Sequence, residues 1–427
     1  MKPEQNNQAA SDYSAEEASP PQRDKLWTPV FVFVIAISMC SFMTSQGLNS
    51  GTTVYLDRIG FDTTVAGVSA ALFSISAAVT RLIAGPILDK RGRYAFCLAG
   101  LGILIASTFV CSLGLHMNAL LACRVLQGFG FAIGTTSAAT MAADVLPISR
   151  MGEGIGYFGL GQAIAMSIGP ALAMFLVNSD RPENLYLGLA VLSTCAFVMA
   201  SQCNYEKHPE KLVPQAAHLK KMERIASGEA PATHKLSLRN MFHPGAMRAA
   251  IPSLIMGPVF GFNIYFVGLL GTSLGVGNAG IYYTMSAIVM IVVRLVASRI
   301  MDRIAPAKLL TFGVVCGLGA YALLHHVSGM GPSPTTTALF FVAGAVFGLY
   351  SGVTMPITQT VAVKCTPPEI WGEANALTLL AVDVGIGIAC IVWGYVNATF
   401  GFGASIFGCM GCMATALLAG WILYPRN

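Results

Sequence analysis

The feature that most constrains this chain is the near-continuity of its apolar runs. Stretches of about twenty or more mostly apolar residues, the length needed to cross a lipid core, follow one another with short breaks. They fall at 28–50, 64–86, 94–115, 119–142, 154–177, 185–203, 249–271, 280–300, 308–328, 335–360, 373–398 and 402–424, twelve in all. Hydrocarbon offers peptide groups no hydrogen-bond partner, so each run is expected to be a helix that pairs its backbone internally. Charged residues are 11 % of the sequence and apolar ones 55 %, too few charges to cover a water-soluble fold of 427 residues. The expected fold class is therefore an all-α membrane protein with twelve transmembrane helices.

The loops alternate in charge. Of the 25 Lys and Arg, twenty lie in segments on one side of the alternation and two, Arg58 and Arg181, on the other, with Arg81, Arg124 and Arg294 inside spans. The positive-inside rule places the basic side, with both termini, in the cytoplasm of a plasma membrane. Residues 1–26 carry charges of both signs and no apolar core, so they read as a disordered cytoplasmic tail rather than a signal peptide. A basic segment, 204–247, separates the sixth and seventh spans. Its piece 217–226 has the pattern of a helix lying on the lipid surface, although a plain linker obeying the charge rule accounts for the same residues. Most of the 11 cysteines sit within apolar runs, including the Cys409/Cys412 pair, where packing explains them better than a disulfide framework.

The chain also repeats itself. Arg81, Leu82, Ala84 and Asp89 recur as Arg294, Leu295, Ala297 and Asp302 at an offset of 213, which also aligns Gly67 with Gly280. Gly152 and Glu153 recur as Gly372 and Glu373 at an offset of 220. Two copies of one six-span unit, 27–203 and 248–427, would run parallel because each has an even number of spans. Such halves can bracket a central path and rock about it.

Three motifs carry a resemblance. Gly85, Asp89, Lys90, Arg91, Gly92 and Arg93 follow the loop pattern G-x-x-x-D-R-x-G-R, with Lys90 in place of the first Arg. Arg124, Gln127 and Gly128 follow R-x-x-Q-G, and Ala165, Gly169, Pro170 and Ala173 follow G-x-x-x-G-P-x-x-G with Ala for the outer glycines. Together these resemble the major facilitator superfamily, and the overall look is that of its twelve-helix drug and metabolite exporters. The resemblance implies two pseudo-symmetric six-helix bundles, a loop around Asp89 and Arg93 that latches the halves, and a role for Arg124 in proton coupling. It implies that the small residues of the fifth span pack against the opposite half, and it favours export. Read as a residue alone, Arg124 is equally a buried anchor to the first span, where Ser45, Gln46 and Asn49 offer partners. The exporters' usual acid in the first span is missing here.

Charged groups inside lipid are expensive, so the few present are informative. Arg81 and Arg294 hold equivalent places, roughly 12 Å inward from Asp89 and Asp302 at helical rise. They either flank the mouth of the path, gating it or attracting anions, or snorkel to headgroups. Asp383 is the clearest mid-span carboxylate, suited either to proton coupling or to a structural ion pair within the second half. Gln46, Asn49, Gln127, Gln162, Asn263, Tyr265, Tyr282, Gln359 and Asn375 are candidate substrate contacts, because polar atoms facing lipid are costly. Phe, Met and Ile neighbours suggest an amphipathic solute, and the excess of buried Arg favours an acidic one.

There is no P-loop, no metal-ligand spacing and no nucleophile constellation, so neither an enzyme, a cofactor nor a nucleic acid partner is expected. The expected partners are a small molecule, protons and the bilayer, for a monomer. The leading reading is a proton-coupled exporter, with an uptake symporter as the alternative. One topological outcome follows. A fluorescent protein fused after Asn427 should mature in the cytoplasm, and alkaline phosphatase fused after Asp180 should be active. The opposite pattern would reverse the orientation.

Overall fold

The computed structural model describes residues 25–91, 93–114, 116–147, 150–204, 242–300, 304–367 and 371–424. Within the helices, the side chains of 82, 84–91, 151–153, 295–300, 363, 371–373, 375 and 376 also fall outside the described set. The tail, the linker, most of the loop motif around Asp89, and the side chains of Glu153, Glu373 and Asn375 therefore lie outside the described residues.

Thirteen helices are present among the described residues: α1 Pro29–Arg58, α2 Thr63–Arg91, α3 Arg93–Cys111, α4 Met117–Val145, α5 Met151–Val177, α6 Asn184–Gln202, α7 Pro244–Tyr265, α8 Val267–Ser273, α9 Gly280–Ile300, α10 Pro306–Ser328, α11 Pro334–Lys364, α12 Trp371–Phe400 and α13 Phe402–Leu423. Eleven are long and apolar enough to cross a membrane, and the described part of α9, Gly280–Arg294, is a shorter apolar helix. The extra element arises because the seventh apolar run is broken at Phe266 into α7 and the seven-residue α8.

Local chemistry sets the helix ends. Thr28 caps α1 by accepting from Phe31 N at 3.2 Å, and Pro29 follows at the first position, where its missing N–H is no loss. Pro244 opens α7 in the same way, with His243 Nδ1 accepting from Gly245 N at 3.1 Å. On the charge-poor side, four turns pass through glycines with φ between 66° and 88°: Gly60, Gly114, Gly275 and Gly401. That left-handed conformation lets the chain reverse within a few residues.

The packing shows the repeat. In the first half α1 contacts α5 and α6, α2 contacts α4, and α3 contacts α4 and α6. In the second half α7 contacts α12 and α13, α9 contacts α11, and α10 contacts α11 and α13, pair for pair. Between the halves run two main seams, α2 with α12 and α5 with α9, which exchange when the halves exchange. The architecture is thus two pseudo-symmetric helical bundles about a twofold axis. Large apolar side chains such as Phe175, Phe407, Leu418 and Ile422 remain exposed, as a lipid-facing surface requires.

Small residues let these backbones meet. A Cβ on Gly128 would stand 2.3 Å from Phe73 O where α4 crosses α2, and one on Gly385 would stand 2.4 Å from Leu254 O where α12 crosses α7. Leu254 O is the carbonyl that Pro258 leaves without its helical donor, so the close approach falls where α7 is loosened. The fifth-span motif serves both halves. Gly169 seats on α1, 2.5 Å from Met43 O to its virtual Cβ, within its own half. Ala171, within the same motif, meets the opposite half through Gly280, on the α5–α9 seam.

Overpacking a close helix crossing costs about 1–3 kcal/mol. Gly128→Val should therefore lower the melting temperature of the detergent-purified protein by several degrees. Gly156→Val, at a position with nothing within 4 Å, should leave it unchanged. Equal melting of the two variants would contradict the packing described.

Candidate functional site

Among the described residues, Arg124 is the fully buried charge, 1 % exposed on α4. Its Nη2 donates to Asn49 Oδ1 at 2.9 Å, its Nη1 to Gln127 Oε1 at 3.1 Å and its Nε to Ser69 O at 3.3 Å. The guanidinium also lies 4.6 Å from the centroid of the Phe73 ring. Neutral dipoles and an aromatic face thus do the work of a counter-ion. Gln127 turns its Nε2 to Cys111 Sγ at 3.5 Å. Three helices, α1, α2 and α4, converge on this one cation.

A second cation lies at the seam. Arg81 on α2 forms an ion pair, Nη1 to Oδ2, with Asp383 on α12. The two side chains are 29 % and 28 % exposed, so the pair is not sealed within the packed seam. Arg81 also sits 5.4 Å from the Phe131 ring centroid. Phe131 meets Phe42 edge-on at 5.2 Å and Phe73 at 5.7 Å. The touching rings of Phe73 and Phe131 therefore separate two guanidiniums, Arg124 on one ring and Arg81 on the other. The sequence offers an ion pair for Asp383 within its own half; the structure pairs it across the seam.

The halves are closed together toward the charge-poor side. Thr53 Oγ1 on α1 donates to Tyr265 O at 2.6 Å, and Ser74 Oγ on α2 meets Tyr265 Oη at 2.9 Å. Tyr265 is the last residue of α7, at the break before α8, so one residue holds two helices of the opposite half. Thr63 Oγ1 donates to Gly394 O at 3.1 Å. A Cβ on Gly67 would lie 2.3 Å from Cys390 O, and one on Gly280 2.9 Å from Ala171 O.

The remaining candidates divide. Asn263 and Tyr282 bond each other, Tyr282 Oη donating to Asn263 Oδ1 at 2.8 Å, while Tyr283 Oη donates to Asn263 O at 3.0 Å. These contacts brace the helix break. Gln162 Nε2 donates to Ser38 Oγ at 3.3 Å, tying α5 to α1. Gln46 is buried and its Oε1 has no partner. Gln359 is exposed on α11, apart from the cluster, and the side chain of Asn375 is outside the described residues. Arg93 at the start of α3 pairs with Asp144 near the end of α4. Arg294 on α9 has a buried Nε without a hydrogen-bond partner. Sequence reasoning misses Thr53, Ser74, Phe73 and Phe131, which carry no signal beyond ordinary span residues.

A profile described as Major Facilitator Superfamily matches residues 34–350. The chain belongs to the major facilitator superfamily. Among curated relatives, an uncharacterized MFS-type transporter of Methanocaldococcus jannaschii is 21 % identical over 88 % of this chain and 92 % of its own length. Multidrug resistance protein D of Escherichia coli is 24 % identical over 73 % of this chain and 74 % of its own length. Several further relatives are matched over only 30–33 % of their own length. Among solved structures, a D-xylose–proton symporter superposes with a TM-score of 0.72 at 14 % identity, over 93 % of this chain and 98 % of that one. Family and fold are those of multi-pass membrane transporters rather than enzymes.

A superfamily seam held by an ion pair has a measurable coupling. In a double-mutant cycle on purified protein, Arg81→Ala and Asp383→Ala should each destabilise. Their effects should be non-additive by about 1 kcal/mol, the scale for contacting groups. Additivity within error would show that the pair does not hold the halves together.

Proposed function

We propose that this protein is a secondary transporter of the plasma membrane, with both termini cytoplasmic, that moves a small organic molecule by alternating access and exports it in exchange for protons. The observation that carries the reading is the Arg81–Asp383 pair, which crosses the seam between the halves with both side chains partly exposed.

The two halves must separate and rejoin during transport, and an ion pair across their seam resists separation. A proton on Asp383 removes the charge that holds Arg81, so protonation and movement of α2 against α12 become one linked equilibrium. Arg124 needs no such exchange. Its hydrogen bonds and its ring contact satisfy it within one half, so it acts as a fixed positive charge that shapes the field in the path. With the basic side in the cytoplasm, the Tyr265 contacts close the outer side of the seam. Tyr265, Thr53, Ser74 and Thr63 then serve as the outer gate. The relation to multidrug resistance protein D supports export.

Uptake uses the same cycle in the other direction, and the superposition on a D-xylose–proton symporter keeps it as the second reading. In inverted vesicles, respiration acidifies the lumen and quenches a pH-sensitive acridine dye. A transported compound, drawn from a panel of amphipathic drugs and organic acids, should relieve the quench with the native protein and fail to do so with Asp383→Asn. Equal relief by the variant would remove Asp383 from coupling. Accumulation of radiolabelled compound in whole cells, instead of its loss, would establish uptake.

A further inference from the structure

The two seams are related by the repeat, and at one charged position they differ. Gly67 of α2 seats on α12 at Cys390, and its repeat partner Gly280 of α9 seats on α5 at Ala171. The offset of 213 between Gly67 and Gly280 is the one that relates Arg81 to Arg294. Positions 171 and 390 differ by 219, close to the 220 that relates Glu153 to Glu373. Sequence repeat and physical contact therefore agree on how the two seams correspond.

Arg81 follows Gly67 by 14 residues, and Arg294 follows Gly280 by 14. At 3.6 residues per turn, fourteen residues is nearly four turns, so each Arg lies on the same face of its helix as the glycine that touches the other half. At helical rise each stands about 21 Å along its helix from that glycine. Arg81 finds Asp383 there. Counting back by 220 or 219, the positions on α5 equivalent to Asp383 are Ala163, a buried alanine, and Ile164. From 160 to 170, α5 carries Leu, Gly, Gln, Ala, Ile, Met, Ser and Pro with no acid at all. Arg294 accordingly has a buried Nε with no hydrogen-bond partner, and no ion pair joins it to any described residue.

A guanidinium held in this setting without an anion is costly. Arg124, the fully buried Arg, shows what this chain does when the charge is structural: it surrounds the cation with Asn49, Gln127, Ser69 and Phe73. Arg294 has no such shell. We infer that Arg294 binds a carboxylate of the transported molecule, which enters the second seam at the place where Asp383 enters the first. The carboxylate would be gripped by the planar fork of the guanidinium, the geometry in which Arg holds carboxylates best. The inference rests on the transporter reading and narrows its substrate class to organic acids.

The test is a binding measurement, so it stands apart from flux. Purified protein in neutral detergent is melted with 1-naphthoate, indole-3-acetate and citrate, and with the uncharged 1-naphthamide and indole-3-acetamide. A ligand that binds the folded state raises the melting temperature by mass action. At least one carboxylate should raise it by a few degrees while its amide does not, and Arg294→Gln should abolish the shift. Ala163→Asp should restore the missing ion pair. It should therefore melt at or above the native temperature and lose the carboxylate shift. Should Ala163→Asp fail to fold, the Arg294→Gln comparison still decides.

An unchanged carboxylate shift in Arg294→Gln, or no shift from any of the three acids in the native protein, overturns the inference. So does stabilisation by phosphatidylglycerol that depends on Arg294 when the acids give none, because the charge is then met by a lipid phosphate. If carboxylates bind through Arg294 but no compound moves in the vesicle assay, the site stands and the transport reading fails.

Discussion

A guanidinium and a carboxylate inside a lipid-spanning bundle are stable only where each finds an opposite charge or a full set of dipoles, and that requirement organises this protein. Arg124 is met by dipoles and a ring, all within one half, and so becomes part of the frame. Arg81 is met by a carboxylate on the opposite half, and so becomes part of the joint. The difference between the two solutions separates what is fixed from what can move. Removing either partner of the Arg81–Asp383 pair would leave the other charge uncompensated, and the proposed coupling rests on that penalty.

The twofold arrangement gives the joint its leverage. Glycines at the two seams bring backbones to contact near the charge-poor side, while Tyr265 at the break between α7 and α8 reaches two helices of the facing half. Contacts of this kind are short, directional and few. They can be made and broken as a unit, whereas the glycine-mediated crossings inside each bundle, such as Gly128 on Phe73 and Gly47 on Gly169, hold each half as a rigid body. The symmetry is incomplete where chemistry is needed, since the acid that closes one seam has no counterpart on the other.

Much of this was legible in the sequence because lipid enforces it. Span length is fixed by bilayer thickness, so ends such as 280–300 and 402–424 fall within a residue of the helices observed. The repeat was legible because its charged residues tolerate little change of place. The fold class follows from those two signals together, and the superfamily resemblance from the motifs around Asp89, Arg124 and Gly169. Pairing across the seam was not legible. Nothing in the order of residues says that Asp383 meets Arg81 rather than a residue of its own half, because helix periodicity gives a face but no neighbour. The break at Phe266 was hidden for a related reason. Pro252 and Pro258 are the breakers that sequence offers, yet α7 runs through both and stops where Tyr282 and Tyr283 take hold of Asn263. Five of the polar residues expected to line a path make structural contacts of three kinds. Asn49 and Gln127 serve Arg124, Asn263 and Tyr282 serve the break, and Tyr265 serves the closure.

The central claim is that a proton on Asp383 governs whether the halves stay joined. It is tested most directly by the distance between spin labels at Phe61 and Phe400, exposed positions in the turn before α2 and at the charge-poor end of α12, in a background without reactive cysteines. Pulsed dipolar spectroscopy in lipid nanodiscs should show a single short distance in the native protein. In Asp383→Asn, which carries the neutral side chain that a proton would leave, a second, longer population should appear. Identical distributions in the native protein and the variant would contradict the account.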